Sequence, residues 1–143
     1  MKQKIDGQER PVPLDLPEPS SVAKEVVLTL VTCGLWDVIW QYKQMKVVNT
    51  LLGEEEFSFV KWLLFTLLTC GLYHLYHEYL MGRAIVRVQH LYGLPPSESL
   101  PAISIIMTLI SLGIITDAIQ QKEINLILEE LQKRRFSART PFS

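Results

Sequence analysis

Apolar positions in this chain gather into three blocks separated by polar stretches, and the blocks repeat one phrase. Val26 to Trp36 reads VVLTLVTCGLW, Leu63 to Tyr73 reads LLFTLLTCGLY, and Ile105 to Ile115 reads IIMTLISLGII. Each copy has Thr at its fourth position, a small polar residue at its seventh and Gly at its ninth. The apolar residues keep to no single stripe, so a helix written this way is apolar on all sides, and a bilayer is a better solvent for it than water. The strictly apolar part of the first block reaches only roughly 22 Å, against a hydrocarbon core of roughly 30 Å. Extending each block to residues tolerated at an interface predicts spans over 22–42, about 57–79 and 100–116.

After each block the pattern turns amphipathic. Val47 to Leu52 ends at Gly53, a natural C-cap, and Ala84 to Tyr92 mixes apolar residues with Arg87, Gln89 and His90 until Gly93, Pro95 and Pro96 break it. The third block runs on through Asp117 into an apolar stripe of Ile119, Ile124, Ile127 and Leu131 among charged residues, a helix over 118–135 able to pair with a protein partner. Gly34, Gly71 and Gly113 stand 37 and 42 residues apart (34 to 71, 71 to 113), so the unit is one apolar segment plus one amphipathic extension. The expected fold is all-α: a helical membrane domain over 22–136 with three short spans, each with an amphipathic extension, as an internal triple repeat. A Pro-rich arm over 1–21 and a tail over 137–143 are expected to be disordered.

Charge and composition narrow the reading. Fourteen Lys and Arg against fifteen Asp and Glu leave no basic footprint for nucleic acid. At 143 residues there is room for one domain, and no separate catalytic domain is expected. Cys33 and Cys70 occupy the same place in two copies and read as products of the repeat. Residues 1–21 carry Pro11, Pro13, Pro17 and Pro19 where a targeting peptide would need an apolar core. With three spans, eight Lys and Arg lie on the side of the carboxyl terminus against six on the other, which points to a cytoplasmic carboxyl terminus in a multi-pass protein.

Two constellations carry candidate chemistry. Thr29, Thr32, Cys33 and Gly34, repeated as Thr66, Thr69, Cys70 and Gly71 and echoed by Thr108 and Gly113, read as small-residue faces for helix packing. The rival reading has the Thr and Cys faces lining a polar path. His74, His77 and Glu78 share one helix face, as metal ligands on a helix must, and the repeat frame sets Asp37 against His74, Trp40 against His77 and Gln41 against Glu78. Antiparallel spans would put Asp37 and His74 on opposite sides of the membrane. Only an oligomer or a re-entrant arrangement brings them together, and interfacial polar residues are the preferred reading. Trp36, Trp40, Tyr42, Tyr73, Tyr76 and Tyr79 are expected to anchor at the membrane interface. No catalytic motif is present and no cofactor is expected.

The stretches TCGLWDVIWQYKQMKVVN and TCGLYHLYHEYL resemble a small bacterial membrane family designated domain of unknown function forty-two thirty-four. Thr32, Gly34, Trp36, Trp40, Tyr42, Lys43 and Asn49 fit its pattern in the first copy. The second copy keeps Thr69, Gly71, Tyr73, Tyr76 and Tyr79 but has His77 where Trp is expected. The resemblance implies an integral protein of a bacterial inner membrane and brings no activity or catalytic residue. The leading expectation is a non-enzymatic, self-associating membrane scaffold or partner-binding subunit, a homo-oligomer within the lipid bilayer. An oligomeric channel or transporter lined by Thr and Cys is the alternative, and a metal-binding membrane enzyme using His74, His77 and Glu78 the third.

Overall fold

The computed structural model describes residues 10–109 and 113–139, and those residues form six helices and no strand. The helices alternate short and long: α1 (Val22–Val31), α2 (Leu35–Leu52), α3 (Phe59–Leu68), α4 (Leu72–Leu91), α5 (Leu100–Leu109) and α6 (Gly113–Arg139). The expected continuous spans are absent. Each of the first two apolar phrases is cut at its Thr-Cys-Gly, where Cys33 and Cys70 take φ of 53° and Gly34 and Gly71 take φ of 92° and 94°. Two successive left-handed residues reverse a chain, and glycine carries the wider angle without a steric cost. No helix among the described residues is long and apolar enough to cross a membrane. Residues 110–112 of the third copy lie outside the described residues.

Side chains on the two sides of each Gly meet, so every short helix doubles back on the long helix that follows it. The Trp36 indole donates to Glu25 Oε2 at 2.6 Å, and Lys43 pairs with the other oxygen of the same carboxylate. Trp62 Nε1 donates to His74 Nδ1 at 3.2 Å, and Phe65 packs on Tyr73. Gln120 Nε2 donates to Ser104 Oγ and Thr108 Oγ1 to Thr116 Oγ1, both at 3.0 Å. The unit of the repeat is thus a helical hairpin with one short arm and one long.

The seventh residues after Gly34, Gly71 and Gly113 are Gln41, Glu78 and Gln120. Gln41 Nε2 donates to Glu78 Oε1 at 3.1 Å, and Gln120 Nε2 to the Glu78 carbonyl at 3.3 Å. Contact at equal distance from the three turns means that α2, α4 and α6 run parallel with their turn ends level. The short helices fill the grooves between them in rotation: α1 lies on α2 and α6, α3 on α4 and α2, α5 on α6 and α4. The result is a pseudo-threefold bundle of three hairpins whose tips all face one way.

Away from the tips the core is apolar, built from Met45, Val48, Leu51 and Leu52 of α2, Met81, Ile85 and Val88 of α4, and Ile124, Ile127, Leu128 and Leu131 of α6. The stripe expected to bind a protein partner is therefore consumed by the chain's own α2 and α4, since Ile124, Ile127 and Leu131 are buried there. Helices α4 and α5 approach tightly at Gly82, where an added Cβ would stand 2.8 Å from Pro101 Cα. The amino arm is tied down from Arg10 onward: Arg10 N donates to the Leu91 carbonyl, its guanidinium to the Leu52 carbonyl, and Ser20 N to Asn125 Oδ1. Asn49, the last residue of the family pattern, bonds both the N–H and the carbonyl of Phe57 and so fixes the loop from α2 to α3. Gln89 and Ser97 repeat this clasp one hairpin later.

Candidate functional site

The first feature is the tip face. Leu30, Val31 and Leu35 on the first tip, Leu67, Leu68 and Leu72 on the second, and Leu109 on the third are all exposed, with Val31 at 74% and Leu68 at 70%. No charged residue occurs in 26–36, 62–73 or 99–116. Single exposed leucines are ordinary on a protein surface, but a level group around three charge-free tips is a patch of the kind that marks an interaction site.

The two described turns leave no amide open. From Thr32 to Asp37, the N–H groups reach in order Leu28 O, Leu30 O, Thr29 O, Thr32 O, Thr32 Oγ1 and Gly34 O, at 2.8–3.3 Å. From Thr69 to His74 the same six bonds recur onto Phe65 O, Leu67 O, Thr66 O, Thr69 O, Thr69 Oγ1 and Gly71 O. A helix start ordinarily leaves its first N–H groups to water or to a cap. Here the Thr32 hydroxyl donates to Leu28 O and accepts from Trp36 N, and Thr69 does the same between Phe65 and Tyr73.

The same positions carry the small-residue reading of the repeat. Nothing lies within 4 Å of a Cβ placed on Gly34 or Gly71, so no helix of this chain approaches them, and their role is the turn. Cys33 and Cys70 are exposed, free thiols. Thr29 is buried with its hydroxyl on Glu25 O, and Thr108 spans α5 and α6. The buried Thr66 hydroxyl has no partner. Among the expected interface anchors, Tyr42 and Tyr76 are exposed and Trp36, Tyr73 and Tyr79 half-buried. Trp40 instead lies fully buried in the bundle, its indole donating to Gln121 Oε1 at 2.9 Å.

The second feature is a polar layer just behind the tips. Gln41 Nε2 bridges Glu78 Oε1 and Asp117 Oδ1, the latter at 2.6 Å, while Gln44 Nε2 donates to the Asp117 carbonyl at 3.1 Å. His74 Nε2 stands 3.6 Å from Glu78 Oε1, and its Nδ1 accepts from Trp62, which leaves the ring proton of a neutral His74 on the nitrogen facing Glu78. The hairpins thus bring Asp37, His74 and Glu78 to one side and one layer, and add Gln41, Asp117 and Gln120 to them. The repeat frame held the signal for Gln41 and Gln120, which share a position with Glu78. Asp117 stands one place out of that frame.

Acceptor oxygens outnumber donors in this layer. Asp37 Oδ1, Gln41 Oε1, Gln44 Oε1, Glu78 Oε2, Asp117 Oδ2 and Gln120 Oε1 are buried without a partner, as is His77 Nε2. Burial pushes the Glu78 carboxyl up to about 8, against the Gln41 hydrogen bond and with help from the Asp37 charge. Asp117 is raised well above the carboxylate range by burial first, then by Glu78 and Asp37. Burial lowers His74, against the pull of Asp37, and lowers His77 to about 3, with His74 adding to the effect. Glu25 behaves differently: burial opposes its charge, but hydrogen bonds from Lys43, Ser20 and Trp36 outweigh it and hold the carboxyl below its ordinary range. No three His, Cys, Asp or Glu side chains among the described residues are disposed to hold a metal ion, so the metal set of His74, His77, Glu78 and Asp37 is not assembled.

No curated protein matches the chain, and no solved structure does. Residues 20–86, the first two hairpins as far as Val86, match the family described as Domain of unknown function (DUF4234).

Proposed function

We propose that this protein is a non-enzymatic, bilayer-anchored helical scaffold that dips three hairpin tips into one leaflet without crossing it. The observation that carries this reading is the closed hydrogen bonding of the tip turns beneath exposed leucines. In hydrocarbon every unpaired N–H costs several kcal/mol, so irregular backbone enters lipid only when its polar groups are satisfied internally. In water such closure has no comparable premium. The dimensions agree: a ten-residue arm reaches about 15 Å, near half of a hydrocarbon core of about 30 Å. Each leucine transferred from water contributes roughly 1.5–3 kcal/mol when fully buried. Six leucines and one valine at the level tips are enough to anchor a small protein.

The scaffold role belongs to the anchored body rather than to a small-residue oligomer interface, because Gly34 and Gly71 serve their turns. A Thr- and Cys-lined conduit has less support, since Cys33 and Cys70 lie on the outside of the tips and Met45, Met81, Ile85 and Ile124 fill the axis behind the polar layer.

Flotation with phosphatidylcholine–phosphatidylglycerol liposomes tests the anchor. The wild type is expected to float and to stay bound in high salt, while Val31→Glu combined with Leu68→Glu, which alters exposed positions only, keeps the same unfolding transition but sediments. On intact vesicles the thiols of Cys33 and Cys70 should be shielded from an impermeant maleimide. A wild type that stays in the aqueous fraction, or a double variant that floats equally well, overturns the reading.

A further inference from the structure

The polar layer has no structural role that its composition explains. A core that needed only to pack would be apolar there, as it is one turn further on. Glu78, Asp117 and Asp37 bring three carboxyl groups together, and among the described residues no Lys or Arg is paired with them: the His74 ring, 3.6 Å from Glu78, is pushed toward its neutral form by burial, and Lys43 is taken by Glu25. Gln41 supplies a single NH2 group to both Glu78 and Asp117, so those carboxyls are close neighbours. Asp37 adds to the burial and to the Glu78 charge that raise the Asp117 carboxyl, so the three acids share one neighbourhood. The remaining buried oxygens, Gln41 Oε1 and Gln120 Oε1 among them, are acceptors without donors. The missing partner is a donor, and protons on the carboxyls are the smallest one that fits.

We propose that Glu78 and Asp117, with Asp37 beside them, form a proton-holding centre whose neutral state allows the tips to enter lipid, so that anchoring is coupled to proton uptake. The coupling rests on the bilayer reading; the centre itself does not. It lies about 10 Å behind the tip glycines, seven residues at 1.5 Å each, inside the roughly 15 Å of one leaflet's hydrocarbon. A charge held at that depth opposes insertion, and a bound proton removes the opposition. The groups facing the centre reinforce this assignment. From α1 there is Glu25, already neutralised by Lys43; from α2, Asp37; from α4, His74 and His77, both held neutral by burial; from α6, Asp117 itself. The charge-free α5 contributes only Ser104 and Thr108, and α3 contributes Trp62.

Three measurements on the full chain separate the two layers of the argument. Infrared spectra at pH 6 should show a protonated-carboxyl C=O band that Glu78→Gln weakens and Asp117→Asn weakens independently. The folded-state value of Glu78 is raised above its unfolded one, so its contribution to stability is full below the unfolded value and is lost as pH climbs through about 8. The urea midpoint of the wild type is therefore expected to fall between about pH 5 and pH 8, and that slope should flatten in Glu78→Gln. Liposome binding should weaken several-fold from pH 6 to pH 9 in the wild type and hold level in Glu78→Gln. A stability slope that disappears in the variant while liposomes bind nothing at any pH sinks the anchor and its coupling but keeps the centre. Equal pH profiles in wild type and both variants, or no protonated-carboxyl band, overturn the centre. So does stabilisation by sodium or calcium chloride at constant ionic strength that Glu78→Gln abolishes while the pH profile stays flat, since the orphan oxygens would then be a metal ion's ligands.

Discussion

At one end of the bundle, leucines stand exposed around two described turns that leave no amide unpaired. At the other, Arg87 bridges Glu54 at 2.6 Å and Glu56 at 3.7 Å, His90 meets Glu98, and two arginines close the carbonyl ends of helices. Arg10 bonds the Leu52 carbonyl at the end of α2, and Arg134 bonds the Tyr92 carbonyl after α4 at 2.6 Å. Both ends face one problem, the unpaired groups that every helix terminus presents. The charged end solves it with long cationic side chains that also suit the negative ends of helix dipoles, a solution that works in contact with water. The tip end solves it with backbone geometry and one threonine hydroxyl per turn, a solution that brings no charge with it. The difference teaches that hydrogen-bond closure can report the solvent a surface is built for.

Substitutions at the two ends should break this contrast in different ways. The largest effect is expected from Tyr92→Ala at the charged end, where the ring is wholly buried and its hydroxyl donates to Leu51 O at 2.8 Å. Loss of a buried aromatic costs about 3–5 kcal/mol, which urea unfolding will read, while liposome binding per folded molecule stays as it was. Gly71→Ala comes next at about 1–2 kcal/mol, the price of a Cβ at positive φ in open space. Gly34→Ala should match it closely, because the two turns share one geometry; unequal costs would mean the tips are not equivalent.

Thr69→Val removes both hydrogen bonds of one hydroxyl and is expected to cost about 1 kcal/mol in solution. On liposomes the penalty should be larger, because the freed Tyr73 N–H then faces lipid, and calorimetry with and without vesicles compares the two. Equal penalties would mean the turn's closure has nothing to do with lipid. The smallest effect belongs to Arg87→Ala, whose ion pairs are solvent-exposed: less than about 1 kcal/mol, shrinking further in salt.

Much of this architecture is written in the repeat, and one residue type hides the rest. The three copies, their period and the alternation of apolar block with amphipathic extension are all visible along the chain, as is the C-cap at Gly53. The reversal inside each phrase is not, because a lone glycine in an apolar run is as well tolerated in a packed span as in a turn. The residue before it is cysteine, which has no particular liking for the left-handed region that Cys33 and Cys70 occupy. A straight span in place of the reversal alternates the long helices that the fold sets parallel, puts Trp40 at an interface and gives Gly34 and Gly71 helix neighbours. The position of the site survived better. Asp37, His74 and Glu78 stand in matching or adjacent turns of the repeat frame, and only antiparallel topology kept them apart. Gly82, where α4 and α5 approach tightly, gave no sign, since its need for a bare Cα comes wholly from Pro101 in a distant helix.

The contact of α1 with α6 makes the three hairpins a closed ring rather than a stack. An open array of repeats can grow or shrink by whole units, since each touches only its neighbours and the ends are capped. A ring has no ends to cap and no place for a fourth member: an added hairpin would have to part α1 from α6 and pull apart the layer of Gln41, Glu78 and Gln120. Copy number is therefore fixed by geometry. The third phrase could shed its cysteine and its aromatic residue, yet not its place in the circle.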